Sequence, residues 1–360
     1  MSSNGRQQLS AEICARIVRS LGSVARRGPG DLAALCRTCK AFQREAEVRL
    51  YDALYLSDPA RAHLACTTVS ANERLALLVR TFCFTVETRR PLTHSFWLVV
   101  KHALDQMHNL EHLVLYDSTF ANGWVLEPTQ IRFQLRDAKL RFMWDAQLVA
   151  FLEGQRKLQS LHTFDRLDDT NRVPPAPGSL PLLRNFDGTL MVGMQLLDSP
   201  LTHLQMMVDR EMLPSLAGLL PRLRSVHKTL RSLSLLDVPE DLVAETSAIL
   251  ASVCPNLVYL GLIPLPPIHR HDFYHSLLKM HSLRCIQLDV LAWSPHPNIH
   301  AQRAIAIEMR VYCPSIHHVV FWIGQTRFRW QFVDDAQEWH SHVDTHQYPQ
   351  FDNMWSLAWT

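Results

Sequence analysis

A short apolar pattern, Leu-x-x-Leu-x-Leu, recurs along this chain and constrains its fold more than any other feature. Because side chains alternate along a strand, each copy predicts a short strand whose leucines face a core. Weaker apolar copies cover 53–56, 80–86, 140–144 and 158–161. The clear copies are at 110–115, 201–206, 230–235, 257–262, 283–288 and 316–321, the last with Ile, Val and Phe in place of leucine.

The segments between these copies have the spacing of amphipathic helices. Phe96, Val100, Leu104 and Met107 share one helical face before the copy at 110. Similar faces precede the copies at 257 and 316, and they consist of Leu242, Thr246, Ile249, Leu250 and Val253, and of Ile305, Met309 and Tyr312. Helices that alternate with short buried strands predict an α/β fold with a parallel sheet.

The later copies are 26–33 residues apart, at or just above the 20–29 residues that are typical of leucine-rich repeats. The array resembles degenerate leucine-rich repeats. A single unit of this kind cannot bury its apolar face, so neighbouring units stack, and we expect an irregular solenoid with a parallel sheet on its concave side. A doubly wound α/β domain has the same alternation and is the alternative.

Residues 9–56 have a different pattern, that of three short amphipathic helices. Ser10 is a good N-cap for the first helix, and Pro29 and Gly30 separate it from the second, which Asp31 caps. The apolar positions on each helix are Ile13, Ile17 and Leu21; Leu32, Leu35, Cys36 and Cys39; and Phe42, Ala46 and Leu50. So small a unit buries little surface by itself, and exposed apolar groups on it indicate a partner site.

The motif Leu9-x-x-Glu12-Ile13, followed by Asp31-Leu32-x-x-Leu35-Cys36-x-x-Cys39-x-x-Phe42 and Arg49-Leu50-Tyr51, resembles an F-box of the kind common in fungal proteins. The resemblance implies binding to the Skp-type adaptor of a cullin–RING ubiquitin ligase. A plain helical cap on the next domain is the alternative. The adaptor-binding residues that the motif implies are Leu9, Ile13, Ile17, Leu32, Leu35, Cys36, Cys39 and Phe42.

We therefore expect a disordered N-terminus at 1–8, an F-box at 9–56, the repeat solenoid at 57–323 and a C-terminal cap at 324–360. Residues 165–181, rich in Asp, Pro and Gly, predict a surface loop within the array. The cap region contains Trp330, Trp339, Trp355 and Trp359, which either cover the last repeat or dock a partner.

Charge and cysteine content favour a cytoplasmic or nuclear protein. The formal net charge of +2 gives no strong field for nucleic acid or an acidic membrane. The eight cysteines are scattered in apolar contexts, as buried thiols are in a reducing compartment. The sequence has no signal-peptide core and no apolar run long enough for a transmembrane helix.

The usual catalytic and cofactor motifs are absent, so we expect neither an enzyme nor a bound cofactor or metal. Cys36-x-x-Cys39 has no second Cys or His pair nearby and lies on an apolar stripe, which favours packing over zinc. The clusters His269, His271 and His275, and Glu338, His340, His342 and His346, are expected in a chain with 19 histidines.

The third and fifth residues of each clear copy point away from the core and form the candidate target-binding face. They contain no Arg or Lys, so we expect a neutral or weakly polar protein epitope. The leading hypothesis is a substrate-recognition subunit of an SCF-type ligase; the alternatives are a leucine-rich scaffold without a ubiquitin link and, more remotely, an α/β enzyme. The candidate target-binding residues are His112, His203, Gln205, Tyr259, Gln287 and His318.

Overall fold

The computed structural model describes residues 9–21, 30–85, 91–127, 131–164, 173–268, 270–324 and 326–344. The chain divides into two units, Met1–Leu158 and Gln159–Thr360. The predictions for 1–8, for 165–172 of the surface loop, and for His269, His346, Trp355 and Trp359 lie outside the described residues.

The first unit contains seven of the described α-helices and four strands. The strands are β1 (Ala53–Leu56), β2 (Thr81–Phe84), β3 (His112–Tyr116) and β4 (Asp137–Arg141). Each strand pairs in parallel with the next one along the chain. The helices are α1 (Ala11–Ser20), α2 (Gly30–Cys36), α3 (Lys40–Asp52), α4 (Pro59–Ser70), α5 (Glu73–Ala76), α6 (His94–Gln106) and α7 (Ala146–Glu153), with a 3₁₀ turn at Gly123–Leu126.

The second unit contains β5 to β13 with helices between them. Strands β5 to β11 pair in parallel in chain order, and β12 and β13 continue the sheet in antiparallel pairing. The strands are β5 (Ser160–Phe164), β6 (Asn185–Thr189), β7 (His203–Met207), β8 (Ser232–Leu236), β9 (Tyr259–Pro264), β10 (Cys285–Asp289), β11 (His318–Ile323), β12 (Thr326–Val333) and β13 (Glu338–Asp344). The helices are α8 (Leu190–Gln195), α9 (Leu216–Leu219), α10 (Val243–Val253), α11 (Arg270–Leu277) and α12 (Ile299–Tyr312), with 3₁₀ turns at Arg210–Ser215, Leu220–Val226 and Glu240–Leu242.

The predicted α/β fold with a mostly parallel sheet is confirmed. The structure does not show the sheet as a solenoid, and that finer prediction stays a prediction. Each clear copy of the leucine pattern gives a strand, but the strand begins two residues after the first leucine of the copy, as at Leu110 before β3 and Leu283 before β10. The first residue of every clear copy is buried, so it packs into the core just before the strand begins.

A repeated hydrogen bond marks the entry to most strands. One backbone carbonyl accepts two successive amides from the segment that enters the next strand, as when Arg184 O accepts from Thr202 N at 2.8 Å and His203 N at 3.0 Å. The carbonyls in this role belong to Arg80, Glu111, Gln159, Arg184, Thr202, Arg231, Val258 and Arg284. The same backbone hydrogen-bonding arrangement therefore joins successive strands in both units of the chain.

The three N-terminal helices share a small core of their own. Val18, Leu32 and Ala46 form its centre, one from each helix. The partly buried side chains packed against it are Leu21, Leu35, Cys36, Phe42 and Leu50. The predicted face Phe42, Ala46 and Leu50 is thus the inner face of α3.

Two details of the predicted helical stripes are wrong. Ile13 and Ile17 do not share the inner face with Leu21, because Cys14 and Val18 occupy that face of α1. Cys39 does not lie on the stripe of the second helix, because α2 ends at Cys36 and Cys39 is the N-cap of α3.

Three strands were not predicted. Strand β6 has Gly188 where the clear copies have a third large apolar residue, so only Leu183 and Phe186 preserve the pattern. Strands β12 and β13 lie in the region expected to cap the array, where they pair with β11 and with each other. Trp330 in β12 is buried, and its indole N–H donates to Gln302 Oε1 of α12 at 3.0 Å.

Candidate functional site

Helix α1 has an apolar face directed to solvent. Ser10 caps the helix by accepting from the amide of Ile13 at 3.3 Å, which fixes the first turn. Leu9, Ile13 and Ile17 are 53%, 46% and 37% exposed; Ile13 and Ile17 lie one turn apart on α1, and Leu9 directly precedes the N-cap Ser10. Exposed large aliphatic side chains on and just before a helix whose other side is already packed are typical of a binding surface. We call Leu9, Ile13 and Ile17 the outer stripe.

The remaining residues that the motif implied for the adaptor lie elsewhere on the three helices. Leu32 is 4% exposed, and Leu35, Cys36 and Phe42 pack against the inner core. These four side chains support the module from within. Cys39 is exposed at the N-terminus of α3, where the amides of Phe42 and Ala41 lower the pKa of its thiol.

The outward face of the sheet is less accessible than the alternation of side chains suggested. His112, His203 and Gln205 are half-buried, whereas Tyr259, Gln287 and His318 are 5%, 2% and 7% exposed. The Tyr259 hydroxyl donates to Gln287 Oε1, and Tyr259, Cys285 and Val320 form a second apolar cluster. The expectation that these three predicted target-binding residues face solvent is therefore wrong, because their own outward neighbours cover them.

A glycine makes this covering possible. At Gly261 an added Cβ would lie 2.6 Å from the Tyr259 ring and 2.4 Å from Ser234 Oγ. The tyrosine ring therefore lies in the space that any side chain at position 261 would need.

The outward residues of the clear copies contain no Arg or Lys, but other strands bring cations to the outward face. In the antiparallel pair β11–β12, Arg329 is opposite Val320 and Arg327 is opposite Trp322, so both arginines share the outward face. In the first unit Lys139 lies beside Val114 on the same face. Arg327 and Arg329 come from β12, which was not predicted, and Lys139 precedes the weaker copy expected at 140–144, because β4 begins at Asp137.

Two outward histidines are held neutral by burial. Burial lowers the pKa of His203 to about 4. Burial, with Arg329 and His317 nearby, lowers the pKa of His318 to about 4. Removal of water penalises the charged imidazolium in both cases.

A cleft opens on the outward face of β5 to β8 in the second unit, near the carboxyl ends of these strands. Its volume is about 70 Å³. Phe164, Met207 and Leu236 give it apolar walls, and Asp187, Thr189 and Gln205 add polar groups. We call this the β5–β8 cleft; of the predicted target-binding residues, Gln205 alone lies in it.

A histidine–carboxylate pair lies at one side of the β5–β8 cleft. His162 Nδ1 is 2.6 Å from Asp187 Oδ2, and the register of β5 and β6 places the two residues directly opposite each other. The Phe164 ring lies 4.4 Å from the His162 ring, close to perpendicular at 62°. A similar pair, His112 Nδ1 and Asp137 Oδ2 at 2.6 Å, lies on the outward face of the first unit.

Two buried threonine hydroxyls lie near the cleft. Thr163 and Thr189 line the cleft and are 3% and 1% exposed. Neither Oγ1 has a hydrogen-bond partner among the residues that the structure describes. Buried polar atoms are normally satisfied, so these hydroxyls leave hydrogen-bonding capacity beside the cleft that a water molecule or a ligand could use.

Sequence reasoning missed this cleft because it missed β6. The signal was present as Leu183-Arg-Asn-Phe186-Asp-Gly188, in which Phe186 and Gly188 take the place of leucines. At Gly188 an added Cβ would lie 2.4 Å from Thr163 Oγ1 and 2.7 Å from the Phe186 ring. Only glycine fits between them, and this hid the repeat pattern.

Within the described ranges, no His, Cys, Asp and Glu side chains gather in a group of three or more that could hold a metal ion. In those same ranges no helix has the length and apolar character that crossing a membrane requires. All eight cysteines are free thiols. No family model matches the chain, and no curated protein shows significant similarity to it.

Proposed function

We propose that this chain is a substrate-recognition adaptor of an SCF-type cullin–RING ubiquitin ligase, with an F-box at 9–56 and leucine-rich-repeat-like units after it. The observation that supports this most directly is the outer stripe. Leu9, Ile13 and Ile17 remain exposed although the opposite face of α1 supplies Cys14 and Val18 to the interior. A helix with apolar groups on both sides has one face for its own module and one for a partner.

The architecture of the later chain supports the repeat part of the proposal. Within each unit the strand order follows the chain without a reversal, whereas a doubly wound sheet reverses at a switch point. A backbone carbonyl that accepts two amides at the entry to the next strand recurs along the chain, as expected of stacked copies of one structural repeat.

In this proposal the eight motif residues have two roles. The outer stripe contacts the Skp-type adaptor together with Cys39, which is exposed at the N-terminus of α3. Leu32, Leu35, Cys36 and Phe42 hold the module together. Since stable interfaces bury about 1,600 Å² in total, the adaptor also contacts surface beyond the outer stripe. The chain then acts without chemistry of its own, and it raises the concentration of a target near the ligase.

Co-expression with a Skp-type adaptor tests the proposal. We expect the wild-type chain to co-purify with the adaptor, and Ile13→Asp combined with Ile17→Asp to abolish co-purification. The matched control is Val311→Asp, because Val311 is 72% exposed on α12 in the second unit. The control should retain the adaptor. A wild-type chain that folds but never binds the adaptor, or a double variant that still binds it, contradicts the proposal.

A scaffold without a ubiquitin link is the second candidate, and one contact favours it. Glu47 of α3 is 8% exposed and accepts from Arg74 Nη1 of α5 at 2.6 Å, and α3 runs directly into β1. The helices are thus joined to the first repeat-like unit as a cap would be. A folded chain that forms no adaptor complex in the co-expression experiment favours this candidate.

A further inference from the structure

The β5–β8 cleft has the size and chemistry of a socket for one side chain. At about 10–15 Å³ for each water-sized position, a volume of about 70 Å³ holds roughly five to seven such positions. A phenol ring with its oxygen is of that size, whereas a methyl group is much smaller and an indole is larger.

The walls of the cleft select an aromatic group. Phe164 offers a ring, and Met207 offers a thioether that packs well against aromatic edges. Leu236 closes the apolar surface at the end of β8. Burial of a flat apolar surface against these groups is favourable, whereas burial of a strongly hydrated group there is unfavourable.

The polar groups of the cleft select a neutral hydrogen-bonding group. Asp187 offers a carboxylate acceptor and Thr189 a buried hydroxyl, which is 1% exposed and unpaired among the described residues. The described residues that line the cleft include no Lys or Arg to compensate a phosphate, and the histidine there, His162, is already paired with Asp187. A phenol can donate to a carboxylate and accept from a hydroxyl at the same time.

We propose that the β5–β8 cleft binds the side chain of an unmodified tyrosine in the target protein. This proposal rests on the proposed function, since it gives the sheet face a specific anchor residue to recognise. It also corrects the location of the predicted target site, because Tyr259, Gln287 and His318 are buried while the cleft is open. A single aromatic anchor in a desolvated pocket is how many interfaces obtain most of their affinity.

The test uses small probes and the full-length chain. Titrations of p-cresol, toluene and phenyl phosphate, followed by saturation-transfer difference NMR, represent tyrosine, phenylalanine and phosphotyrosine. We expect p-cresol to bind at least about threefold more tightly than either of the other probes, because one added hydrogen bond contributes roughly that much or more. Equal binding of toluene, tighter binding of phenyl phosphate, or no saturable binding of p-cresol overturns the proposal.

Variants locate the binding. Thr189→Val removes the hydroxyl at nearly constant volume, and we expect p-cresol to bind roughly three- to tenfold more weakly while toluene is unaffected. Thr189→Ser should restore the preference. Leu236→Trp fills the cleft and should abolish binding of both probes. Unchanged p-cresol binding in Thr189→Val or in Leu236→Trp overturns the proposal.

The two histidine–aspartate pairs supply a matched control. Asp187→Asn should weaken p-cresol binding by about tenfold, whereas Asp137→Asn, which alters the pair outside the cleft, should leave it unchanged. Equal effects of the two variants overturn the proposal. Because p-cresol binding needs no adaptor, its failure in a chain that binds the Skp-type adaptor refutes the cleft proposal alone. Loss of the adaptor complex with p-cresol binding intact refutes the proposed function alone.

Discussion

The ion pair between Glu47 and Arg74 gives a quantitative test of how the N-terminal helices are held to the first strands. Glu47 accepts from Arg74 at 2.6 Å and from Gln43 Nε2 at 2.9 Å, so its carboxylate is buried and paired on both oxygens. The substitution Arg74→Ala removes one of these two hydrogen-bond donors to the carboxylate and leaves the other, Gln43.

The magnitude follows from burial. A hydrogen bond to a charged group contributes roughly 1.5–3 kcal/mol, but the Arg74 side chain is 56% exposed and water screens it. We therefore expect Arg74→Ala to lower the free energy of unfolding of the first unit by about 1 kcal/mol. For a unit of this size, that corresponds to a decrease of roughly 2–4 °C in Tm. The matched control is Arg16→Ala, because Arg16 and Glu12 pair at 3.1 Å with 75% and 72% exposure, and its effect should be under about 0.5 kcal/mol.

The pH dependence of this effect has a defined sign. Arg74 and Gln43 hold the pKa of Glu47 below its usual value. The stabilisation is therefore fully present above the unfolded-state pKa of about 4.3, and it is lost as the pH falls through the lower folded-state pKa. The wild-type chain and Arg74→Ala should consequently converge in stability as the pH falls through that lower pKa.

Urea denaturation followed by circular dichroism, at several pH values, measures both effects, and a double-mutant cycle with Glu47→Gln isolates the coupling. Arg74→Ala and Arg16→Ala with equal effects at pH 7 would refute the burial argument. A difference from wild type that persists unchanged at acid pH would refute the electrostatic one.

Three further predictions concern single residues. Iodoacetamide should alkylate Cys39 well before Cys285 near neutral pH. Helix amides lower the pKa of the exposed Cys39 thiol, whereas burial raises the pKa of the Cys285 thiol to about 12. Mass spectrometry of a time course shows the order of alkylation, and equal rates would contradict the prediction. Gly261→Ala should lower the free energy of unfolding of the second unit by about 1–3 kcal/mol, because the alanine Cβ would collide with Tyr259. Gly218→Ala has open space around the new Cβ and should not lower the free energy of unfolding in the same urea assay. Similar losses in the two variants would contradict the packing argument. The pKa of His318 is about 4 in the folded state and about 6.5 in the unfolded state, so the unfolded state binds more protons between these pH values. The free energy of unfolding should therefore decrease as the pH is lowered, by roughly 2–3 kcal/mol at pH 4. His318→Gln should flatten this dependence, and an unchanged slope would contradict it.

Much of the fold follows from the sequence because it depends on local periodicity. The leucines of each copy and the helical faces at Phe96, Leu250 and Met309 fixed which segments become strands and helices. Strand β6 escaped prediction because Gly188 packs against Thr163, a contact between segments that are distant along the chain.

The outer stripe could be predicted only as part of a larger set. Its residues and the inner residues Leu32 and Phe42 are all apolar at helical spacing. Which of them turn inward depends on how the three helices pack.

By itself, the sequence determined the α/β class, the parallel sheet and the presence of an apolar surface on the N-terminal helices, because these depend on the alternation of side chains along strands and helices. The tertiary structure alone decided which outward residues are accessible. It covers Tyr259, Gln287 and His318 with neighbouring side chains, brings Arg327 and Arg329 to the same face, and opens a cleft where Asp187 meets His162. Burial is set by neighbours from other strands, and a repeat pattern specifies the direction of a side chain but not what lies over it.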